Sequence, residues 1–186
     1  MVDILSDRIE TPIGPLVLLV RGDAIICLEF ADQPQRIARE LEPRFGECRL
    51  LERDDPCGFS NSIRAYFAGE FAAIDDVPAD GGGTAFQRRV WKELRRIPCG
   101  STITYRELAR RMGDPAATRA VGAANGRNPV SIVVPCHRVI GSDGSLTGYG
   151  GGLARKSWLL EHERAVMAGT AVTTELASGA CRAARS

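Results

Sequence analysis

One short segment of the chain holds the residue types that nucleophilic chemistry needs. A Pro-Cys-His-Arg run occupies residues 135–138, directly after three apolar residues. The thiolate is the reactive form of cysteine, and a neighbouring imidazole or positive charge lowers the pKa of a thiol. We therefore interpret Cys136 as a candidate nucleophile and His137 as its candidate base. The plainer interpretation is a buried structural cysteine, because free cysteine is among the residue types most often buried.

The residues around Cys136 predict how the fold positions it. Residues 132–134 are all apolar and predict a buried strand, which Pro135 ends because proline has no N–H to give to a sheet. A Cys-His hydrolase is one alternative for such a site. That chemistry needs a histidine from a separate part of the chain and an oxyanion hole, and the adjacent His137 suggests neither.

Length and composition limit the classes of protein to which the chain can belong. Its 186 residues suit one ordinary domain or two small ones, and its 25% charged and 44% hydrophobic residues are typical of a soluble globular protein. No apolar run has membrane-spanning length, and the first seven residues contain acids and no basic residue, unlike a secretory signal. Six cysteines without a C-x-x-C pair, and two histidines, do not suggest a structural zinc site. We expect a cytoplasmic protein with reduced thiols and with no cofactor, metal or membrane partner.

The net charge of +1 conceals a strong asymmetry between two parts of the chain. Residues 1–83 contain 8 Lys/Arg and 16 Asp/Glu, a net charge of −8, whereas residues 84–165 contain 14 and 6, a net charge of +8. A basic part of this size favours a polyanionic partner such as nucleic acid. Two solvated faces that attract one another are the alternative.

The first part of the chain predicts an antiparallel sheet with flanking helices. Residues 7–30 have the pattern of three strands joined by tight turns, which is a meander. One helix is expected over residues 33–41, with Pro43 just beyond its end, and another over residues 59–69.

The second part predicts a mostly helical domain. Thr84 is placed to cap a helix over residues 86–96. Two further helices, over residues 105–112 and 115–125, are joined by a Gly-Asp-Pro turn, which is typical of a helix-turn-helix. An ordinary helical hairpin has the same pattern.

The second helix of that pair is rich in Ala and Gly, with Arg119 as its one long cation. Glycine lowers helix stability, so this composition needs a reason. Either another helix packs closely on it, or a flat surface approaches its backbone, and Arg119 favours a helix face that enters a narrow groove. Further along, six glycines in residues 141–152 predict a loop that lines a flat ligand, and residues 153–163 predict a helix.

Three consecutive glycines within residues 79–83 mark the best domain boundary. We divide the chain into a sheet domain at residues 1–83, a second domain at residues 84–165 and a tail at residues 166–186. The tail is rich in small and polar residues without a steady apolar period, which is typical of a partly helical or disordered segment.

A set of motifs between residues 84 and 163 belongs together. The set comprises Phe86-Gln87, Val90-Trp91, Ile97-Pro98-Cys99-Gly100, Tyr105, Arg119-Ala120-Val121-Gly122, Asn128-Pro129, Pro135-Cys136-His137-Arg138-Val139, Gly148-Tyr149-Gly150-Gly151-Gly152 and Trp158-Leu159-Leu160-Glu161-His162-Glu163. These motifs resemble the methylated-DNA–protein-cysteine methyltransferases, also called O6-alkylguanine-DNA alkyltransferases. The arrangement is similar to the stand-alone bacterial Ogt type. The resemblance is loose before residue 84, where it consists of Thr11-Pro12-Ile13-Gly14 and Tyr66-Phe67-Ala68-Gly69. The zinc ligands that some relatives carry in this part are not evident.

The resemblance implies a role for each matching position. The catalytic set would be Cys136 as alkyl acceptor, His137 as its activator through water, Glu163 at the end of that chain, and Asn128 as a brace for the turn before the cysteine. The DNA-binding set would be Tyr105, Arg119, Ala120, Gly122 and Arg127, with Arg119 filling the space that a flipped base leaves. The alkylguanine pocket would be lined by Tyr105, Val139, Tyr149 and the backbone of Gly150.

The resemblance also implies a fold and an activity. The fold would be α/β (α+β), with an N-terminal antiparallel sheet domain and a mostly helical, winged-helix-like C-terminal domain that buries the active-site cysteine. The activity would be irreversible transfer of an alkyl group from O6-alkylguanine, and from O4-alkylthymine, in duplex DNA to Cys136 after base flipping through the minor groove. Each molecule, a monomer or one of several that cooperate on DNA, would repair one lesion. A lesion-binding protein without chemistry is the alternative, although such proteins lack this cysteine.

Overall fold

The computed structural model of the chain describes residues 1–169. Its first part is built on a sheet of four strands, β1 (Val2–Ile9), β2 (Leu16–Arg21), β3 (Ala24–Phe30) and β4 (Cys48–Glu52), in the order β3-β2-β1-β4. The first three strands form the predicted antiparallel meander, which starts earlier than expected. Strand β4 pairs parallel with β1 and was not predicted from the sequence. Three of the five β4 residues are exposed at this edge, so the strand lacks a clear apolar alternation.

Two α-helices flank the sheet, and both differ from their predicted bounds. Helix α1 (Pro34–Phe45) continues through Pro43, so the prediction that it ends before this proline is wrong. Proline weakens a helix by removing one hydrogen bond, but here Phe45 and Leu41 pack against the sheet and keep the last turn helical. Helix α2 (Phe59–Phe67) ends two residues before the predicted position.

The second part is mostly helical, as predicted. It contains four helices and two short strands: α3 (Ala85–Leu94), β5 (Ile103–Thr104), α4 (Tyr105–Arg111), α5 (Thr118–Gly126), β6 (Val139–Ile140) and α6 (Leu153–Met167). Thr84 caps α3 in a capping box with Gln87, and Thr104 caps α4. Because α4 and α5 follow each other through a short turn and pack together, they form the predicted helix-turn-helix. Helix α6 is four residues longer than predicted.

Short 3-10 helices occupy Pro56–Gly58, Phe71–Ile74, Pro115–Ala117 and Cys136–Arg138. The prediction of a buried strand at residues 132–134 is wrong, because these residues form a tight turn in which Ile132 has a φ of 74°. The N–H of Val134 donates to the carbonyl of Val130 at 3.0 Å within this turn. Residues 132–134 are buried, and a buried turn can be as apolar in sequence as a buried strand. The strand in this region is β6, which follows the cysteine.

The two parts of the chain share one core. The largest apolar cluster includes Leu28 and Phe30 of β3 together with Val121 of α5 and Val134 of the turn. Main-chain hydrogen bonds add two further segments to the β3 edge. Ile25 pairs with Ala79, which precedes the three consecutive glycines, and Leu28 pairs with Val130, which lies just before the turn at residues 132–134. These bonds fix to the sheet the turn at residues 130–134, which precedes Cys136 and which we call the cysteine turn.

The domain boundary at residues 79–83 stays a prediction. Residues 170–186, which include most of the predicted tail, lie outside the described residues. Within residues 1–169, no helix combines the length and apolar character needed to cross a membrane.

Candidate active site

Cys136 begins the 3-10 helix that connects the buried turn to β6. Its side chain is buried, and its Sγ accepts a hydrogen bond from Asn128 Nδ2 at 3.1 Å. Burial raises the pKa of Cys136 to about 11, although the Asn128 hydrogen bond acts in the opposite direction. The expectation that neighbouring groups lower this pKa is therefore wrong for the free protein. The resting thiol is neutral and needs a base to become a nucleophile.

Asn128 connects the turn to the cysteine. Its Oδ1 accepts from the N–H of Val130 at 3.0 Å, and its Nδ2 donates to the carbonyl of Val134 at 2.8 Å as well as to Cys136 Sγ. These bonds span both ends of the turn and satisfy buried backbone groups that have no sheet partner. The residue lies where the resemblance implies a brace.

His137 points away from solvent and toward α6. Its Nε2 lies 2.8 Å from Oε1 of Glu163, and both side chains are fully buried. Burial lowers the pKa of His137, although Glu163 partly opposes this shift. The neutral imidazole therefore carries its proton on Nε2, and this N–H group donates a hydrogen bond to the carboxylate. The lone pair on Nδ1 has no hydrogen-bond partner among residues 1–169 and is free to accept a proton.

Glu163 is the centre of a buried polar network that the sequence analysis identified only in part. Arg138 donates to both of its carboxylate oxygens at 2.9–3.2 Å. The hydroxyl of Tyr66 donates to Oε1 at 2.8 Å, and the N–H of Gly100 donates to Oε2 at 3.0 Å. Burial would raise the pKa of Glu163, but His137 and Arg138 hold it well below its usual range. The carboxylate is thus charged, paired and fixed.

Two side chains of this network, those of Tyr66 and Arg138, had no assigned role. Arg138 stands next to His137 in the sequence, and the adjacency suggested a cation close to the thiol. Its guanidinium instead pairs with Glu163 and with the carbonyl of Ile97 at 2.7 Å. For Tyr66, the one available signal was its place in the Tyr-Phe-Ala-Gly segment of the loose N-terminal resemblance.

A buried lysine, also missed from the sequence, fixes the wall of the site. Lys156 of α6 donates from Nζ to the carbonyls of Val139 and Thr147, both at 2.6 Å. The Tyr105 hydroxyl donates to the same Thr147 carbonyl at 3.1 Å. Burial lowers the pKa of Lys156 to about 8. The available signal was composition, because the chain has two lysines and the other cations are arginines.

Tyr149 and Gly150 lie in the glycine-rich loop on the other side of the site. The Tyr149 ring meets the His137 ring edge to face, with 6.4 Å between centroids, and burial raises the pKa of its phenol well above the usual value. A side chain at position 150 would overlap the guanidinium of Arg36. A side chain there would have to displace this guanidinium from its hydrogen bonds.

Arg36 reaches the site from α1 in the first part of the chain. It pairs with the buried carboxylate of Glu29 at 3.0 Å and donates to the carbonyls of Gly126 and Asn128 at 3.2 and 3.1 Å. Its guanidinium therefore connects the sheet part to the end of α5 and to the cysteine turn. Neither composition nor motif spacing singled out this residue.

The structure separates the predicted DNA-binding residues into two groups. Arg119, Ala120 and Arg127 are exposed on or at the end of α5, whereas Val121, Ala124 and Asn125 are buried on its opposite side. Gly122 instead faces the Tyr105 ring, since a Cβ there would lie 3.7 Å from that ring. Within residues 1–169, the Arg119 side chain makes no hydrogen bond or ion pair. Among these residues there is also no cluster of three His, Cys, Asp or Glu side chains that could hold a metal ion.

Comparison with known proteins gives a consistent set of relatives. The family model described as the 6-O-methylguanine DNA methyltransferase DNA-binding domain matches residues 85–165. The methylated-DNA–protein-cysteine methyltransferase of Shigella flexneri is 47% identical over 166 residues, which cover 88% of this chain and 97% of that protein. The enzyme of the same name from Mycobacterium tuberculosis is 48% identical over 159 residues, with 84% and 90% coverage.

Solved structures give the same result for the fold. A crystal structure of Mycobacterium tuberculosis OGT in complex with DNA superposes with a TM-score of 0.73 at 44% identity, covering 89% of this chain and 94% of that one. The O6-methylguanine-DNA methyltransferase of Pyrococcus kodakaraensis has a TM-score of 0.68 at 28% identity, with 86% and 98% coverage. Similarity of this extent, over nearly the full length of each relative, makes this chain a member of the methylated-DNA–protein-cysteine methyltransferase family.

Proposed function

We propose that this protein repairs alkylated DNA by moving an alkyl group from O6 of guanine to Sγ of Cys136. The observation that supports this most strongly is the buried cysteine next to a neutral histidine whose Nε2 is bound to Glu163. The relatives are named for methyl transfer from DNA to a protein cysteine, and one related structure contains DNA. DNA is therefore the partner that the basic half of the chain binds.

The chemistry follows from the charge states of the site. The Cys136 thiol gives its proton, through a water molecule, to Nδ1 of His137, and the imidazolium is stabilised by the Glu163 carboxylate. The thiolate attacks the alkyl carbon, so the S–C bond forms while the C–O6 bond breaks. The guanine leaves with the electron pair of that bond and takes up one proton from water, and the imidazolium returns the thiol proton to water, so that the number of protons is unchanged. Tyr105 is the nearby hydrogen-bonding group. Asn128 keeps Sγ oriented for the attack.

A buried thiol requires that the base come to it. An alkylated base inside a duplex is out of reach, so the nucleotide must rotate out of the stack. We assign Arg119 to the space that the base leaves, and Tyr105 to holding the rotated nucleotide. Tyr149, Val139 and the Gly150 backbone line the pocket that receives the guanine. Helix α5, which we propose binds DNA, also carries Ala120 and Gly122, and Arg127 lies at its end.

The product determines the stoichiometry. A thioether is stable, and the site contains no group that could cleave it, so each molecule repairs one lesion. The same displacement extends to O4-alkylthymine, since the leaving oxygen has the same chemistry. We propose that the protein acts as a monomer.

Intact-mass measurement after incubation with O6-methylguanine DNA tests this function. The protein should gain the mass of one methyl group, and peptide mapping should locate it on Cys136. The Cys136→Ser variant should still bind the DNA and gain no mass. Methyl groups on Cys27 or Cys99 would contradict the assignment. Binding without any mass gain in the unmodified protein would instead support a lesion-binding protein.

A further inference from the structure

A cavity of about 260 Å³ borders the site without including Cys136 in its lining. Its walls include Asn128 and Val134 on one side and residues of α3 on the other. Pockets for drug-sized molecules range from about 300 to 1,000 Å³, so this one suits a smaller ligand. The proposed alkyl transfer uses no group that points into it from α3.

The charges in the lining have one predominant sign. Helix α3 contributes Arg88 and Lys92, and Arg95 directly follows its last residue with helical backbone angles. The three are spaced by four and three residues and therefore share one face. The carboxylate in the lining belongs to Asp80, which is already paired with Arg44 at 3.1 Å. A ligand in this cavity would meet three cations and one neutralised acid.

Two of the cations are held in place by backbone groups. Arg88 donates to the carbonyl of Gly83, and Arg95 donates to the carbonyls of Val77 and Asp75 at 3.0 and 2.5 Å. Each of these guanidinium groups keeps further N–H donors, because it has five. Lys92 is exposed and has no side-chain partner within residues 1–169. Cations that are fixed but not neutralised are the groups that bind phosphate oxygens.

The remaining wall includes the small part of the Trp91 ring that stays accessible, in a side chain that is otherwise buried. Trp91 lines the cavity, and its Nε1 donates to the carbonyl of Ala124 at 2.9 Å, which fixes the ring. The backbone of Gly81 packs so closely on Trp91 and Pro129 that any side chain there would overlap both. The glycine segment at residues 79–83 thus allows the chain to pass over the tryptophan and close the cavity.

We propose that this cavity binds a phosphate ester of at most mononucleotide size, with the phosphate on Arg88, Lys92 and Arg95 and the organic part against Trp91. The phosphate ester belongs either to a free nucleotide or to the backbone of bound DNA. The proposal is independent of alkyl transfer, because no step of the reaction involves these side chains.

Tryptophan fluorescence tests the proposal directly. The chain has two tryptophans, so the Trp158→Phe variant reports on Trp91 alone. Uridine monophosphate is the first probe, because a pyrimidine does not mimic the guanine of the lesion. It should change the fluorescence saturably, and inorganic phosphate should compete. Unmodified duplex DNA is the second probe.

Charge variants in the same background test the assignment to α3. Lys92→Gln should weaken binding of the responding probe about tenfold, because one of three phosphate-binding charges is lost. Arg53→Gln, which removes an exposed cation from the sheet part, should leave that affinity unchanged.

The outcomes distinguish binding of a free nucleotide, binding of the DNA backbone and failure of the proposal. A response to uridine monophosphate that phosphate competes identifies a free nucleotide site. A response to duplex DNA alone, weakened by Lys92→Gln, identifies a contact with the DNA backbone. The proposal is overturned if no probe changes the fluorescence, or if Lys92→Gln and Arg53→Gln weaken binding equally.

Discussion

Two groups of charged residues in this chain differ in how their charges are paired. Around Glu163, the charges of the carboxylate and of Arg138 are buried and neutralise each other within the protein. On and beside α5, Arg119 and Arg127 are exposed and have no side-chain partner within residues 1–169. The first group is complete before any partner arrives, whereas the second leaves its charges available to DNA. The paired, buried charges take part in the proposed alkyl transfer, and the unpaired, exposed charges take part in the proposed DNA binding.

The largest expected effect comes from breaking the buried group. Glu163→Gln removes the charge that compensates Arg138, and loss of one partner of a buried ion pair costs about 3–5 kcal/mol. Urea unfolding should show this loss of stability. Glu161→Gln, on the exposed side of the same helix, should change stability by less than about 0.5 kcal/mol. Equal effects of the two variants would mean that the Glu163 network contributes little to stability.

The same group should also behave as one unit in catalysis. His137→Phe and Glu163→Gln should each slow alkyl transfer, measured on folded protein at saturating DNA. The double variant should be little slower than the slower single variant, because members of a relay are not additive. Losses that multiply would show that the two residues act independently.

Arg119 tests the exposed group. Arg119→Ala should slow repair of duplex DNA about ten- to a hundredfold, since flipping costs a few kcal/mol that the guanidinium partly offsets. Transfer from free O6-alkylguanine base should hardly change. Arg119→Lys should rescue poorly, because an ammonium cannot stack between bases. If Arg119 only contacts phosphate, then Lys should rescue well, and the loss should match that of Arg127→Ala and fade at low salt.

Salt should distinguish the two groups. Duplex affinity should fall steeply as salt rises, and Arg127→Ala should reduce the magnitude of the log–log slope by about one if this residue contacts a phosphate. The transfer rate with the free base should depend little on salt, because the catalytic charges are buried and paired. Duplex affinity that is constant between low and moderate salt would exclude the basic half as the DNA-binding surface.

The smallest expected effect concerns Lys156 and pH. Its pKa of about 8 in the folded protein lies below the ordinary value of 10.5, so the unfolded chain binds more protons between these values. This residue should therefore make the protein more stable as pH rises from about 8 to 10.5, and its contribution is lost as pH falls through 8. The stability difference between Lys156→Met and the unmodified protein, from urea unfolding, should change over that range. A constant difference would mean that the lysine titrates normally.

Local sequence patterns predicted most of the helical half and the three-stranded meander. Capping residues such as Thr84 act within a few positions, so their effect can be read without knowing the rest of the fold. The patterns failed where packing opposed them. Pro43 is retained inside α1 because Phe45 is anchored. The apolar residues 132–134 form a turn whose two ends, the Val130 N–H and the Val134 carbonyl, bond to Asn128.

The sequence by itself determined the candidate nucleophile, its histidine and the family, since these depend on residue types at short spacings around Cys136. The roles of the other predicted site residues stay predictions. Only the tertiary structure decided which groups surround the site, such as Tyr66, 97 residues from Glu163, and Arg36, 92 residues from Asn128. The reason is physical: a long-range hydrogen bond forms only where the faces of distant elements pack together. Neither the spacing of residues nor the composition of the chain specifies that packing.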